Sequence, residues 1–356
     1  MFAGLCLSGR GDRSECGTTT AKECHGSSRL PFTLCGTIGM NMGRERKQKI
    51  GIIGAGSVGA TIAYACMVRG IGKHISLFDI ATSKLNAEVL DLNHGLMFVS
   101  EAQLDGSDDI EVLKGADALV ITAGAKQKPG QTRIDLAEIN AEICRKLIPE
   151  IVRVAPDAIL LMVTNPVDVL TYVALKISGL ESRRVLGSGT VLDSSRFRFL
   201  VAQHCHVAVQ NVHAYIAGEH GDSEIPLWSS ASIGNVPLDQ WVFPNRMTAA
   251  QRTAIFENVR TSADQVIAGK GATNYAIGLA VSSILQAILW DEGRVLPVSS
   301  LLTKYRGLDD VCLSVPAIVN RRGVEYPLPV PLSAEEEQGL KKSAEATRSV
   351  VRRLGF

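Results

Sequence analysis

A histidine set between glycines, in Gly218-Glu219-His220-Gly221-Asp222, is sterically open and titrates near neutral pH, so it could give or take a proton. An ordinary exposed loop would carry the same residues, and a carboxylate partner is what would favour chemistry. Upstream, Gly187-Ser188-Gly189-Thr190-Val191-Leu192-Asp193-Ser194-Ser195-Arg196 places an acid and a guanidinium three apart. On a helix those two share a face, as a surface ion pair also would. A third stretch, Lys126-Gln127-Lys128-Pro129-Gly130-Gln131-Thr132-Arg133, is a polar loop following an apolar strand. Its composition suits closure over a ligand and equally suits a plain surface connection.

These residues need a frame. Lys49-Ile50-Gly51-Ile52-Ile53 reads as a short buried strand, followed by Gly54-Ala55-Gly56-Ser57-Val58-Gly59 and a helical pattern from Ala60 to Arg69. Strand, glycine turn and helix in that order fit a dinucleotide site. Gly54 allows the tight turn, Gly56 admits the pyrophosphate to the backbone, and Gly59 lets helix and strand pack closely. A second strand, His74 to Phe78, ends at Asp79, twenty residues beyond Gly59. A carboxylate there accepts ribose hydroxyls and repels a 2′-phosphate, which favours NAD over NADP. Ala118 to Thr122 and Ile159 to Val163 are further apolar runs without alternation, as strands buried on both faces are. Ligands of such sheets gather at the strands' carboxyl ends, where Ala123-Gly124 and Thr164-Asn165-Pro166 fall.

Composition narrows the function classes. The chain has 356 residues, 46% apolar and 21% charged, with a net charge of +1. That excludes a disordered chain and leaves no global field for nucleic acid or an anionic membrane. Of eight cysteines, Cys6, Cys16, Cys24 and Cys35 lie near the N-terminus, at spacings that fit no familiar metal-ligand pattern. Cys66, Cys144, Cys205 and Cys312 sit singly, as buried reduced thiols do, so no metal is expected and the setting is read as cytoplasmic. Residues 1–39 lack any helix or strand period and read as a disordered extension, or as sequence upstream of a start at Met40 or Met42. The uncharged run Ile50 to Val68 follows basic residues like a signal peptide or membrane span, but its glycines fit the nucleotide turn better.

Taken together, the glycine fingerprint, Asp79, the 127–133 loop, Asn165-Pro166-Val167-Asp168, Asp193-x-x-Arg196 and Gly218 to Asp222 resemble the L-lactate dehydrogenases of the lactate/malate dehydrogenase family. Lys128 to Arg133 and Asn211-Val212-His213-Ala214-Tyr215 point to the bacterial branch, and the likeness runs from about Lys49 to Leu354. The resemblance implies an NAD-dependent enzyme of pyruvate fermentation, at the end of glycolysis, that interconverts pyruvate and L-lactate. It implies His220 as general acid, Asp193 as the group that orients and charges it, and Arg133 as the polariser of the carbonyl. Arg196 would grip the substrate carboxylate, with Gln127, Asn165 and Thr273 lining the pocket. The cofactor would contact Gly54, Gly56, Ser57, Val58, Gly59, Asp79, Lys84, Ala123, Gly124, Asn140, Thr164 and Asn165. A homotetramer is implied, with Arg198 and His213 forming an allosteric site for fructose 1,6-bisphosphate across a subunit interface. The alternative at these two positions is a local ion pair and a packed histidine.

Malate dehydrogenase shares this chemistry, and the discriminating residue is Gln127, whose neutral amide offers no partner to a second carboxylate. An NAD-dependent glycosidase would need a metal held by Cys and His near the fingerprint, and a recruited binding module would have lost His220 or Arg196. The expected architecture is α/β: residues 1–47 an extension, 48–190 a doubly wound NAD-binding (Rossmann) domain with a parallel sheet, and 191–356 an α+β catalytic domain. A helix from about Thr273 to Ile288 should return to the first domain. Ser333 and Glu336 should form a capping box opening an amphipathic C-terminal helix, with Lys341, Lys342 and Arg348 on its solvated face.

Overall fold

Strand β1 (Lys49–Ile53) buries Ile50 and Ile52 on one face of a sheet and Ile53 on the other, so both faces need a cover. The computed structural model describes residues 48–125, 130 and 132–356, with Arg133 described by its backbone alone. The extension at 1–47, Lys126, Gln127, Lys128, Pro129 and Gln131 lie outside the described residues. The described residues form one compact unit.

The cover comes from helices alternating with strands. After β1 follow α1 (Ser57–Arg69), β2 (His74–Phe78), α2 (Thr82–His94), β3 (Gln103–Ser107), β4 (Ala118–Ile121), α3 (Arg133–Val154), β5 (Ile159–Met162), α4 (Val167–Ser178) and β6 (Val185–Gly187). Downstream lie α5 (Val191–Cys205), the two-residue strands β7 (Val212–His213), β8 (Ile216–Ala217), β9 (Ile225–Pro226), β10 (Ser232–Ile233) and β11 (Val236–Pro237), then α6 (Ala249–Lys270) and α7 (Tyr275–Leu289). The chain ends with β12 (Arg294–Leu296), β13 (Ser299–Leu302), β14 (Val311–Ser314), β15 (Ala317–Asn320), β16 (Gly323–Pro327) and α8 (Ala334–Arg353).

The first six strands lie in the order β3-β2-β1-β4-β5-β6, all parallel, which is the doubly wound sheet expected from the sequence. One apolar cluster joins Ile50, Ile52 and Val120 to Ile62 and Cys66 of α1 and Ile284 and Leu285 of α7. On the opposite face Leu119, Ile121 and Leu160 meet Ile148 and Ile151 of α3 and Leu170 and Val173 of α4. The sheet does not stop at β6. β13 and β14, more than a hundred residues further on, extend it antiparallel through the Ser299–Gly187 pair. Such strands carry no sequence sign of which sheet they will join.

Helix α7 returns to the nucleotide half, as anticipated. Arg69 of α1 donates to Ser282 Oγ at 2.6 Å and to Gln286 Oε1 at 2.5 Å, and a Cβ on Gly278 would stand 2.7 Å from Thr61 Cγ2, so the helices approach closely. A separate core under α5 and α6 centres on Phe197, fully buried and edge-on to Trp228 at 4.6 Å. Ser333 and Glu336 form the capping box of α8, each side chain accepting from the other's backbone N–H. Lys341 and Lys342 are exposed on that helix. Cys66, Cys144, Cys205 and Cys312 are free and buried, and burial pushes the Cys66 and Cys144 thiols up to about 12, far from a reactive thiolate. No helix among the described residues is long and apolar enough to cross a membrane. Ile50 to Val68 is instead a strand, a turn and most of α1.

Candidate active site

The dinucleotide turn is built as its glycines require. Gly54 adopts φ +106°, a left-handed conformation that side chains resist, and a Cβ on Gly59 would sit 1.9 Å from the Gly54 carbonyl oxygen. Beside Gly56, by contrast, nothing lies within 4 Å of where a Cβ would be, so the backbone is open to a ligand at the start of α1. Ser57 and Val58 form the first helical turn there, with amide N–H groups that no earlier turn can accept. Asp79 ends β2 and steadies the turn: Oδ2 accepts Ala55 N–H at 2.6 Å and Oδ1 accepts Ala81 N–H at 2.9 Å. A carboxylate has about four acceptor sites, so two such bonds leave capacity for ribose hydroxyls. An open glycine cradle beside an acid with free lone pairs fits NAD. Lys84 is exposed on the first turns of α2.

At the ends of β4 and β5 the polar side chains serve the backbone. Asn140 of α3 is buried; its Oδ1 accepts Ala125 N–H at 2.7 Å and its Nδ2 donates to Asn165 O at 2.8 Å. Thr164 Oγ1 donates to Ala123 O at 2.8 Å. A Cβ on Gly124 would come 2.3 Å from Thr164 Cγ2, so these two loops lie tightly against each other. Asn165 remains exposed at the end of β5. Thr273 is half-buried just before α7. Arg133, expected at the end of a loop, is the first residue of α3, directly after Thr132, which forms the capping box of that helix with Asp135. Gln127 lies outside the described residues.

The Asp193–His220 pair is assembled from two distant segments. Asp193, in the first turn of α5, is 2% exposed and divides its oxygens: Oδ2 meets His220 Nδ1 at 2.6 Å, and Oδ1 accepts Arg196 Nη1 at 2.8 Å. The helical spacing foreseen for Asp193 and Arg196 is therefore realised. The carboxylate partner of His220 comes from 27 residues upstream. The Asp193 charge is the main force raising the His220 imidazole, to about 9 against an opposing effect of burial. Burial alone would raise Asp193, yet the charges of His220 and Arg196 and the His220 hydrogen bond hold it below the usual carboxylate range. With Nδ1 committed to Asp193, Nε2 is the nitrogen left to meet a ligand, and it carries a proton at neutral pH.

Two acids that sequence reasoning left without a role stand close by. Glu224 is buried, and its burial and the neighbouring Asp193 charge push its carboxyl well up. Asp168, in the Asn165-Pro166-Val167-Asp168 stretch, is buried and accepts the His220 backbone N–H at 2.7 Å. Asp168 belongs to a stretch that carries the family resemblance, whereas the sequence signal of Glu224 is its place two residues past Asp222. Asp193, His220 and Glu224 bring one ligand-type atom each within 4.8 Å of one another. Both Asp193 oxygens are engaged by Arg196 and His220.

Arg198 projects from α5 away from that pair. Its Nε donates to Ala214 O at 2.8 Å and its guanidinium lies 4.7 Å from the Tyr215 ring centre. Neither contact neutralises the charge. His213, the residue before Ala214, is exposed at the end of β7, opposite Ser232 of β10.

A doubly wound sheet with a glycine cradle at its switch point, together with a buried carboxylate that holds both an imidazole and a guanidinium, fits an NAD-binding dehydrogenase. Profiles of the lactate/malate dehydrogenase NAD binding domain and of its alpha/beta C-terminal domain match residues 48–187 and 190–353. The chain belongs to the lactate/malate dehydrogenase family, and NAD is its cofactor. It is similar to the L-lactate dehydrogenase of Bifidobacterium animalis subsp. lactis, 51% identical over 86% of this chain and 97% of the relative. The L-lactate dehydrogenase of Acetivibrio thermocellus is 47% identical over the same shares. Among solved structures, a lactate dehydrogenase from a Medee basin deep-sea metagenome library superposes with a TM-score of 0.84 at 39% identity, covering 87% of this chain and all of that one. The minor L-lactate dehydrogenase of Enterococcus mundtii gives 0.83 at 36% identity, with shares of 86% and 98%.

Proposed function

We propose that this chain is an NAD-dependent L-lactate dehydrogenase that interconverts pyruvate and L-lactate, with His220 as general acid and base. The carrying observation is the unbroken chain His220–Asp193–Arg196, which couples a charged proton donor to a carboxylate-binding fork. Bound NADH supplies the hydride. His220 Nε2 protonates the oxygen of the reduced carbonyl, and Asp193 stabilises the imidazolium until that proton leaves. Arg196 keeps Nη1 on Asp193 and turns its remaining donors to the pyruvate carboxylate, fixing the keto carbon near His220. Asn165 hydrogen-bonds the substrate, Thr273 lines the pocket, and Arg133 polarises the carbonyl as negative charge develops on it. The 48–190 half holds the nucleotide, through Gly54 to Gly59, Asp79, Lys84, Ala123, Gly124, Asn140, Thr164 and Asn165, and the 191–356 half supplies Asp193, Arg196, His220 and Thr273 to the substrate.

Pyruvate-dependent oxidation of NADH, followed spectrophotometrically, tests the reading, with oxaloacetate as the competing substrate. Pyruvate is expected to be strongly preferred, because Gln127 leaves a second carboxylate desolvated and unpaired. Gln127→Arg should shift preference toward oxaloacetate. Equal rates on both substrates in the wild-type enzyme would move the assignment to malate or another 2-hydroxy acid.

The enzyme acts as a cytoplasmic homotetramer, and fructose 1,6-bisphosphate activates it by bridging Arg198 and His213 of facing subunits. Support comes from the Arg198 guanidinium, which meets a backbone carbonyl and a ring and no carboxylate among the described residues, and from exposed His213 on the adjoining strand. Two copies bring four cationic groups together when the histidines are protonated, and a bisphosphate relieves their repulsion. Pyruvate saturation at pH 6 and pH 7.5 should show a lower half-saturating concentration with the bisphosphate present. An effect that persists in Arg198→Gln/His213→Gln, or no effect at either pH, would refute the site.

A further inference from the structure

One buried carboxylate has no part in the proton transfer or the substrate grip described so far. Asp168 is 1% exposed in the first turn of α4, where unpaired helical amides favour negative charge. Its Oδ2 accepts the His220 N–H at 2.7 Å, and its Oδ1 accepts the Ser314 hydroxyl of β14 at 3.3 Å. The loop carrying His220 is fastened a second time, because Gly218 exchanges backbone hydrogen bonds with Ser314 at 2.8 and 3.0 Å. A neutral acceptor at position 168 would serve the peptide N–H equally well. A buried charge there is costly and calls for a partner. The groups facing it are His220 and Glu219 of the loop, Ser299 of β13, and the Ser314 hydroxyl and Cys312 thiol of β14. Among these described groups His220 is the cation.

We propose that Asp168 is a positioning residue for the general acid: its ionised carboxylate fixes the His220 peptide against the sheet edge and adds a second anion, besides Asp193, that holds the imidazole in its protonated form. This rests on His220 being the proton donor. Burial raises Asp168 to about 6, partly offset by the Ser299 hydroxyl and the His220 N–H. Its charge is therefore present above about pH 6 and lost as the pH falls through that value, which places an acid limb on pyruvate reduction.

The test compares pH profiles of kcat and kcat/KM for wild type, Asp168→Asn and Ser314→Ala. In Asp168→Asn, kcat should fall about tenfold or more while pyruvate KM changes less than about threefold, since Arg196 is untouched. Its acid limb should vanish and its alkaline limb should move to lower pH, because an anion facing the imidazolium is gone. Ser314→Ala keeps both backbone bonds to Gly218 but deprives the carboxylate of a donor, so its acid limb should move to higher pH. Wild-type kcat with an unmoved alkaline limb in Asp168→Asn overturns the proposal. If that variant binds no NADH through misfolding, an unmoved acid limb in Ser314→Ala overturns it instead. Absence of pyruvate-dependent activity in the wild-type enzyme would count against the lactate dehydrogenase reading, and is scored before any variant is compared.

Discussion

His220→Ala is expected to lower kcat for pyruvate reduction by about 10²–10⁴-fold, the range that general acid catalysis supplies. NADH affinity should stay within about twofold, because the nucleotide cradle from Gly54 to Asp79 is built on β1, α1 and β2, elements that do not include the imidazole. The pH dependence is the sharper reading. Asp193 raises His220 to about 9, so the wild-type enzyme holds its proton through neutrality and loses it as the pH rises past that value. Pyruvate reduction therefore falls on the alkaline side, whereas lactate oxidation, which needs a neutral imidazole, rises over the same interval. The alanine variant's residual rate should show no such alkaline limb. Near-normal turnover in His220→Ala, or an alkaline limb that survives it, would assign the proton to another group.

Arg196→Lys is expected to raise pyruvate KM by about 10–100-fold. Each hydrogen bond between charged groups contributes about 1.5–3 kcal/mol, and a lysine cannot meet Asp193 and both oxygens of a carboxylate in one plane. Arg196 already gives Nη1 to Asp193 at 2.8 Å, so the variant must either release Asp193 or release the substrate. If the ammonium stays on Asp193, the His220 alkaline limb should remain near its wild-type position while KM carries the loss. Steady-state kinetics across pH separates the two cases. An unchanged pyruvate KM in Arg196→Lys would remove this residue from the substrate site.

What could be read directly in the chain are the features written in neighbouring residues. Gly54, Gly56 and Gly59 act within one turn of chain, and each local steric demand is met by the residue at that position. Asp193 and Arg196 are joined by helical geometry alone, and the Ser333–Glu336 cap by the same short range. His220 stood out by its flanking glycines and family resemblance supplied its role and its pairing, but spacing in the chain does not place His220 Nδ1 on Asp193. That contact spans 27 residues and exists because β14 and α4 hold the histidine loop over the start of α5. Long-range strand pairing decided that β13 and β14 continue the nucleotide sheet past β6, and backbone need decided that Asn140 and Thr164 tie loops together with their side chains. The burial of Asp168 and Glu224 likewise follows only from packing. A carboxylate's chemistry depends on what surrounds it, and surroundings are a property of the folded molecule: the same residue type is a solvated acid on a helix surface and a group with a pKa near 6 beneath His220.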